Sequence, residues 1–426
     1  VDPRTPLLRR LSARALRRGA EDLVELRDPL GLALGAAGAG EPLYVPRSVW
    51  EVARLFDGHT QPTEIAAQLA RRGGTAPRVT AEEVQRVARG FSEKLLLEDA
   101  RSGSAAIAAW DELRAQSVRP ARGPGRDYEP DPLELRIRVG GIVANDWDMP
   151  SPPGLHALFS SAASLARAAP LYARTYAAVR HAAPEIARVL LLGSARGTLD
   201  ALLAPSRVPY ATPLGELRLD REGLAALALE PGRGELAHRA TLTLERHALF
   251  LRLLMPGVPV LPLLVGSLPE RLPDAQSDPR GYEPLERALE ALARVEALPG
   301  NCLIVCAFDL AQLSSGSSEP LAHTPSGAQA LRELDRACVD RAALIDAAGF
   351  WQRGLELPGA ERVANLSAPY LALRLLEARA ERGAHPIGSV LGYVQSVQVE
   401  DLVAGLAMAF HEPVGEPVSE SSGRTS

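Results

Sequence analysis

Three cysteines and eight histidines are the side chains of this 426-residue chain best suited to metal ligation or nucleophilic attack. A metal site needs several such groups converging on one point, and their spacing is the first clue to convergence. No pair of the C-x2-C kind is present. Cys302 and Cys306 fall in NCLIVCAFD, which reads as a buried strand. They share a face there but lie roughly 13 Å apart, too far for a disulfide. The third, Cys338, is isolated, and all three read as small buried apolar residues in a reducing cytoplasm. Glu245 and His247 are two positions apart, roughly 200° around a helix, which does not make a chelating pair. His238, His247, His323 and Asp309 have no spacing that marks a ligand set. Gly193-Ser194-Ala195-Arg196-Gly197 lacks the Gly-Lys-Ser/Thr ending of a phosphate loop, and no Gly-x-Ser-x-Gly elbow is present. Asp309, at the end of its strand, sits where α/β domains place their ligand crevice; the same position also suits a turn-forming or helix-capping Asp.

These residues need elements to position them. A hydrophobic content of 46% supports large cores, and the length implies two or three domains. The net charge of −5 implies no general affinity for nucleic acid. No apolar run is long enough to span a bilayer, and no secretory signal is read in the first 23 residues, so a cytoplasmic protein is expected. From Leu133 onward, strand candidates LELRIRVGGIVA, RVLLLG, PVLPLLVG, NCLIVCAFD and SVLGYVQSV alternate with helical patterns at 155–181, 221–229, 241–255, 283–297, 325–349, 360–382 and 400–410. Buried strands alternating with helices predict an α/β domain over 133–410, its mostly parallel or mixed sheet covered by helices.

The N-terminal quarter is patterned differently. Residues 1–24, with LLRRLSARALRR, read as a basic amphipathic lead-in helix. Residues 25–100 read as short strands followed by three helices, a small winged-helix-like α+β module. Its last helix starts with a capping box, Thr80 and Glu83. Gly58 permits a turn, and Thr60 is placed to cap the next helix. Asp28-Pro29, Leu55-Phe56-Asp57-Gly58, Glu64-Ile65 and Leu95-Leu96-Leu97-Glu98-Asp99 give this module its resemblance to the PqqD-like group, which includes peptide-recognition elements of ribosomal peptide maturation. The resemblance implies that a peptide or protein partner adds as a strand beside the small sheet. Residues 101–132, rich in Pro, Gly and charge, read as an extended, poorly packed linker, and 411–426 as a disordered tail.

The large domain resembles the MEMO family, the protein B of the AmmeMemoRadiSam group and a relative of extradiol-type dioxygenases. The resemblance rests on Thr212-Pro213-Leu214-Gly215-Glu216 with Asp220, on Pro256–Gly266, on Asp309-Leu310 in NCLIVCAFDLAQ, and on Val390-Leu391-Gly392-Tyr393. It implies a metal cleft, yet the metal-binding positions differ. Gly193-Ser194-Ala195-Arg196 stands for G-P-S-H. Thr241-Leu242-Thr243-Leu244-Glu245 stands for E-H-S-x-E, and Gln312 for the His after S-S-D-L-S. The late Cys falls near Ser367-Ala368-Pro369-Tyr370, and no P-H-A-G-Y segment is present. A His/His/Cys site cannot assemble from these residues. The resemblance therefore implies a cleft lined by Arg196, Glu245 and Asp309. Arg196 would either bind an anion or pair with one of the two carboxylates. The expected protein is a pseudoenzyme with no metal, cofactor or catalytic residues: a MEMO-like scaffold with a peptide-recognition module, from a bacterial modification or natural-product pathway. The alternative is a divergent metalloenzyme or oxidoreductase of the same ancestry.

Overall fold

The structure is a computed structural model. It describes residues 5–413 except 19, 36–37, 40, 72–78, 147, 181, 196–198, 200, 270, 273, 275–277, 315–323, 357–364 and 399–400. The chain opens not with a helix but with a hairpin, β1 (Ser12–Arg18) and β2 (Glu21–Arg27), in register from Ser12↔Arg27 to Arg18↔Glu21. An isolated helix of this length is marginal in water. The hairpin gives its backbone a ladder and sends Val24 and Leu26 into a core. After a two-residue pair, β3 (Leu34–Gly35) and β4 (Gly38–Ala39), comes β5 (Leu43–Pro46), which pairs with the other side of β2. Helices α1 (Arg47–Ala53), α2 (Pro62–Arg71) and α3 (Ala81–Glu93) complete this small α+β unit.

The predicted capping box of α3 forms as expected. Thr60 does not cap α2: its hydroxyl donates to Asp57, which also accepts the N–H groups of His59 and Thr60 around Gly58, whose φ is +82°. Asp28 is a structural anchor. It forms a buried ion pair with Arg9 at 2.9 Å and accepts the N–H groups of Leu30, Leu32 and Ala33.

The stretch expected to be a loose linker is ordered and packed. Asp99 caps α4 (Ala100–Ala115), which buries Ala106 and Leu113. Residues 119–128 then run across the large domain. The backbone of Arg119 bonds to Pro209 and Ala211 on either side of Tyr210. Next comes α5 (Pro132–Ala144), read from sequence as a strand. The Asp131 side chain takes two of the orphan N–H groups, and Pro132 occupies the first turn, so local capping chemistry overrides the alternating apolar pattern.

The large domain is a three-layer α/β/α structure. Its remaining elements are β6 (Leu155–Ser160), α6 (Leu165–Ala177), β7 (Ile186–Ser194), β8 (Leu203–Pro205), α7 (Arg221–Leu227), α8 (Thr243–Leu254), β9 (Val260–Val265), α9 (Glu283–Glu296), β10 (Asn301–Ala307), β11 (Gln312–Ser314), α10 (Pro325–Ala343), α11 (Ala347–Glu356), α12 (Ser367–Glu381), β12 (Ile387–Gln398) and β13 (Asp401–His411). The 8-stranded mixed sheet has a parallel centre, β6-β10-β7-β9, with β8 antiparallel to β9. On the far side β13 runs antiparallel to β6, β11 and β12. The central strands are near-continuous apolar runs because both faces are covered. Helices α5, α6 and α8 cover one face, and α9 to α12 the other.

Two further expectations are corrected. The helical pattern at 155–181 divides into β6 and α6, and the described part of the one at 400–410 is strand β13 (Asp401–His411), not helix. His411 and Glu412 are ordered at the end of β13, with Glu412 bonded to His156 at 2.7 Å, while the expected tail from 414 lies outside the described residues. Among the described residues no helix is long and apolar enough to cross a membrane.

Candidate functional site

The parallel strands end at Ser160, Ser194, Val265 and Ala307, so the crevice of this sheet is built from the residues that follow them. Arg196, one of the three candidates, lies outside the described residues. The other two are both buried, and every carboxylate oxygen of the two accepts at least one hydrogen bond.

Glu245 sits in the first turn of α8, a helix whose apolar face buries Leu244, Ala248, Leu249 and Leu251. Its side chain is 0% exposed. Oε2 accepts from Arg119 Nη1 at 2.7 Å. Oε1 accepts from the N–H groups of Arg122 and Gly123, at 2.8 and 2.7 Å, and from the hydroxyl of Tyr128 at 2.6 Å. Four donors from one short segment thus converge on one carboxylate, the arrangement a buried charge requires. Arg119 is anchored in turn. Nε and Nη2 donate to the carbonyls of His238 and Thr241, and its guanidinium lies 4.2 Å from the centroid of the Tyr210 ring. Burial, then the Glu245 charge, pushes the Tyr128 hydroxyl far above its usual pKa, so it stays a donor. Residues 119–128 act as a strap across the start of α8.

Asp309 follows β10. Oδ1 accepts from the Ser161 hydroxyl at 2.5 Å and the Ala162 N–H at 3.0 Å, and Oδ2 from Gln312 Nε2 at 3.1 Å. Burial raises its pKa, and these donors oppose the rise. Arg246 joins the two carboxylate centres. It grips Asp127 of the strap with two bonds, 2.7 and 3.0 Å, and donates to the Ala162 carbonyl at 2.5 Å.

The histidines near these groups are internally committed. His247 Nδ1 faces the Tyr176 hydroxyl at 2.7 Å and Nε2 the Ser161 carbonyl at 3.1 Å. His238 makes the same pattern with Tyr210 and the Ala204 carbonyl. A carbonyl at Nε2 requires the proton there, so each Nδ1 accepts from its tyrosine. Burial pushes both imidazoles down to about 3, and both are neutral at ordinary pH.

The residues present do not fit the metal site that the resemblance implies. Glu245 and Asp309 have their oxygens taken, Gln312 serves Asp309, and Ser194 donates to the Asn365 carbonyl. Ser367 accepts from Leu268 N–H. The buried Ser267 hydroxyl has no partner among the described residues, but a neutral hydroxyl is not a ligand of the imidazole or thiolate kind. Among the described residues no group of three or more His, Cys, Asp or Glu side chains is placed to hold a metal ion. Burial pushes the Cys302 thiol up to about 12 and the Cys306 thiol well above its usual value, so both stay protonated.

Sequence reasoning located Glu245, Asp309 and Gln312 but missed the other residues that hold the two carboxylates. Arg119, Gly123, Asp127 and Tyr128 lie in the stretch read as linker. An aromatic residue inside that polar, Pro- and Gly-rich run was the one available signal.

Fold and site together define an α/β protein with a mixed sheet and an internal strap fastened to the start of α8. Comparison with known proteins refines this. Residues 119–276 match the family described as "Memo-like protein", a match that begins at Arg119 of the strap. A "MEMO1 family protein" of Aquifex aeolicus (strain VF5) is 22% identical over 309 residues, covering 72% of this chain and 76% of that protein. Among solved structures, an uncharacterized protein from Escherichia coli K12 covers 59% of this chain and 99% of its own at 12% identity, with a TM-score of 0.29. The chain thus carries a Memo-like segment, and that segment includes the strap.

Proposed function

We propose that this protein is a non-catalytic Memo-like scaffold that presents a PqqD-like peptide-recognition unit, acting in the cytoplasm in a bacterial modification or natural-product pathway. The observation that carries the reading is the bonding of Glu245. The one acidic residue kept from the family's E-H-S-x-E segment spends both oxygens on Arg119, Arg122, Gly123 and Tyr128. A carboxylate so occupied anchors a strap; ligating an ion would require breaking charge-assisted bonds in a buried site. The small unit supports the second half of the reading. Strand β5 is an edge of its sheet, bonded to β2 on one side, and strand addition along such an edge is the mode expected of its resemblance.

Two measurements test this. Elemental analysis of the full chain after incubation with iron, zinc and copper should give clearly less than one equivalent. One equivalent of metal, lost in Asp309→Ala, would overturn the scaffold reading. Hydrogen exchange of the full chain with a precursor peptide encoded beside its gene should show protection at 43–46. Protection confined to 133–410 would remove the recognition role from the small unit.

A further inference from the structure

A cavity of about 220 Å³ opens where the small unit meets the strap and the start of α8. Four arginines line it, Arg27, Arg122, Arg126 and Arg246, together with Glu41 and residues 240–243. The charges around it do not balance. Arg246 is taken by Asp127, Arg27 by Glu25, and Arg126 by Glu41 through two bonds of 2.6 and 2.9 Å. Arg122 is left with a single 3.5 Å approach to the same Glu41 oxygen that Arg126 holds. Among the described residues, four guanidinium groups thus face three carboxylates, and Arg122 is the least fully paired of the four.

The Arg122 backbone is fixed by its bond to Glu245, and its side chain is about a quarter exposed. Burial and the nearby Arg119 both disfavour its charge, which an entering anion would relieve. The first turn of α8 borders the cavity: Leu242 at its N-cap supplies no side-chain oxygen, Thr241 Oγ1 accepts from the Thr243 N–H at 3.2 Å, and Glu245 lies in the same turn. With about 30 Å³ per water, the cavity has room for several waters or for one oxyanion. Glu41 shows the required chemistry in place: a carboxylate forked by a guanidinium.

We propose that this cavity is a binding site for an oxyanion-bearing ligand, a carboxylate or phosphate group, held by Arg122 and Arg126, with Glu41 as the internal anion it displaces. The inference does not depend on the scaffold reading, because three of its residues come from the small unit and none is a metal-site position carrying a candidate ligand.

Calorimetric titration of the full chain with inorganic phosphate and, separately, with acetate tests the proposal at low ionic strength. At least one should bind saturably at one site. Binding should weaken by about tenfold or more in Arg122→Gln and in Arg126→Gln, the scale of one lost charge-assisted bond. It should tighten in Glu41→Gln, which removes the competitor. Arg126 is more than half exposed, so its variant tests the site without threatening the fold. Preference for phosphate over acetate, or the reverse, identifies the source of the oxyanion. If neither anion saturates, or if saturable binding ignores all three substitutions, the proposal is wrong.

Discussion

Replacing Arg119 with methionine is the sharpest probe of the strap. The guanidinium is 2% exposed and Glu245 is 0% exposed, so solvent does little to soften the loss. Methionine keeps an unbranched stem but removes the 2.7 Å ion pair, two bonds to carbonyls and the contact with Tyr210. Breaking one side of a buried pair costs ~3–5 kcal/mol. Glu245 would still accept from Arg122, Gly123 and Tyr128, which places the loss near the lower end, about 3 kcal/mol. Against a total stability of ~5–15 kcal/mol this is readily measured. Urea unfolding followed by circular dichroism should show a lower midpoint with an unchanged slope. In the double variant Arg119→Met/Glu245→Gln the orphaned charge is gone, so the combined loss should fall short of the sum by at least ~1 kcal/mol. Arg119→Met costing less than ~1 kcal/mol, or two single effects that add within ~0.5 kcal/mol, would show that this pair does not fasten the strap.

Three other outcomes are expected. His238 and His247 are held at about 3 when folded, against ~6.5 when unfolded, so protons bind the unfolded chain first; the stability they contribute is complete above ~6.5 and is lost as pH falls toward 3. From pH 7.5 to 5 the two should cost on the order of 4 kcal/mol, and a flat stability profile over that range would contradict their buried neutral state. A Cβ at Gly123 would lie 2.1 Å from the Tyr128 ring, so Gly123→Ala should push that ring off Glu245 and lower stability by ~1–3 kcal/mol in thermal melts, whereas Gly103→Ala, with open space on α4, should leave stability unchanged or raise it by up to ~1 kcal/mol. Asp309→Asn would set an amide against donors from Ser161, Ala162 and Gln312; a loss of ~1–3 kcal/mol is expected, and an unchanged melting temperature would refute the bonding described.

Much of the architecture was legible because it is written locally. The runs RVLLLG, PVLPLLVG and NCLIVCAFD are apolar on both faces and short, the pattern of strands covered on both sides, so β7, β9 and β10 could be placed without coordinates. Thr80 and Glu83 reach across a single turn, and their box formed as read. Misreadings arose where a local preference met a stronger neighbour. DLVAGLAMAF is rich in helix formers, yet β12 on one side and β6 and β11 on the other supply partners for its backbone, and it becomes β13. Residues 133–144 alternate like a strand, yet Asp131 and Pro132 start a helix that leaves Leu133 and Ile137 exposed. Glu245 and Asp309 could be singled out by residue type and by the segments around them. What each one does could not, because its partners are remote: Arg119 is 126 positions from Glu245, and Ser161 is 148 from Asp309. Periodicity, capping and turn chemistry act over a few residues and are carried by the sequence itself. A buried charge is settled by whichever donors the packed chain brings within about 3 Å, and only the tertiary structure decides that.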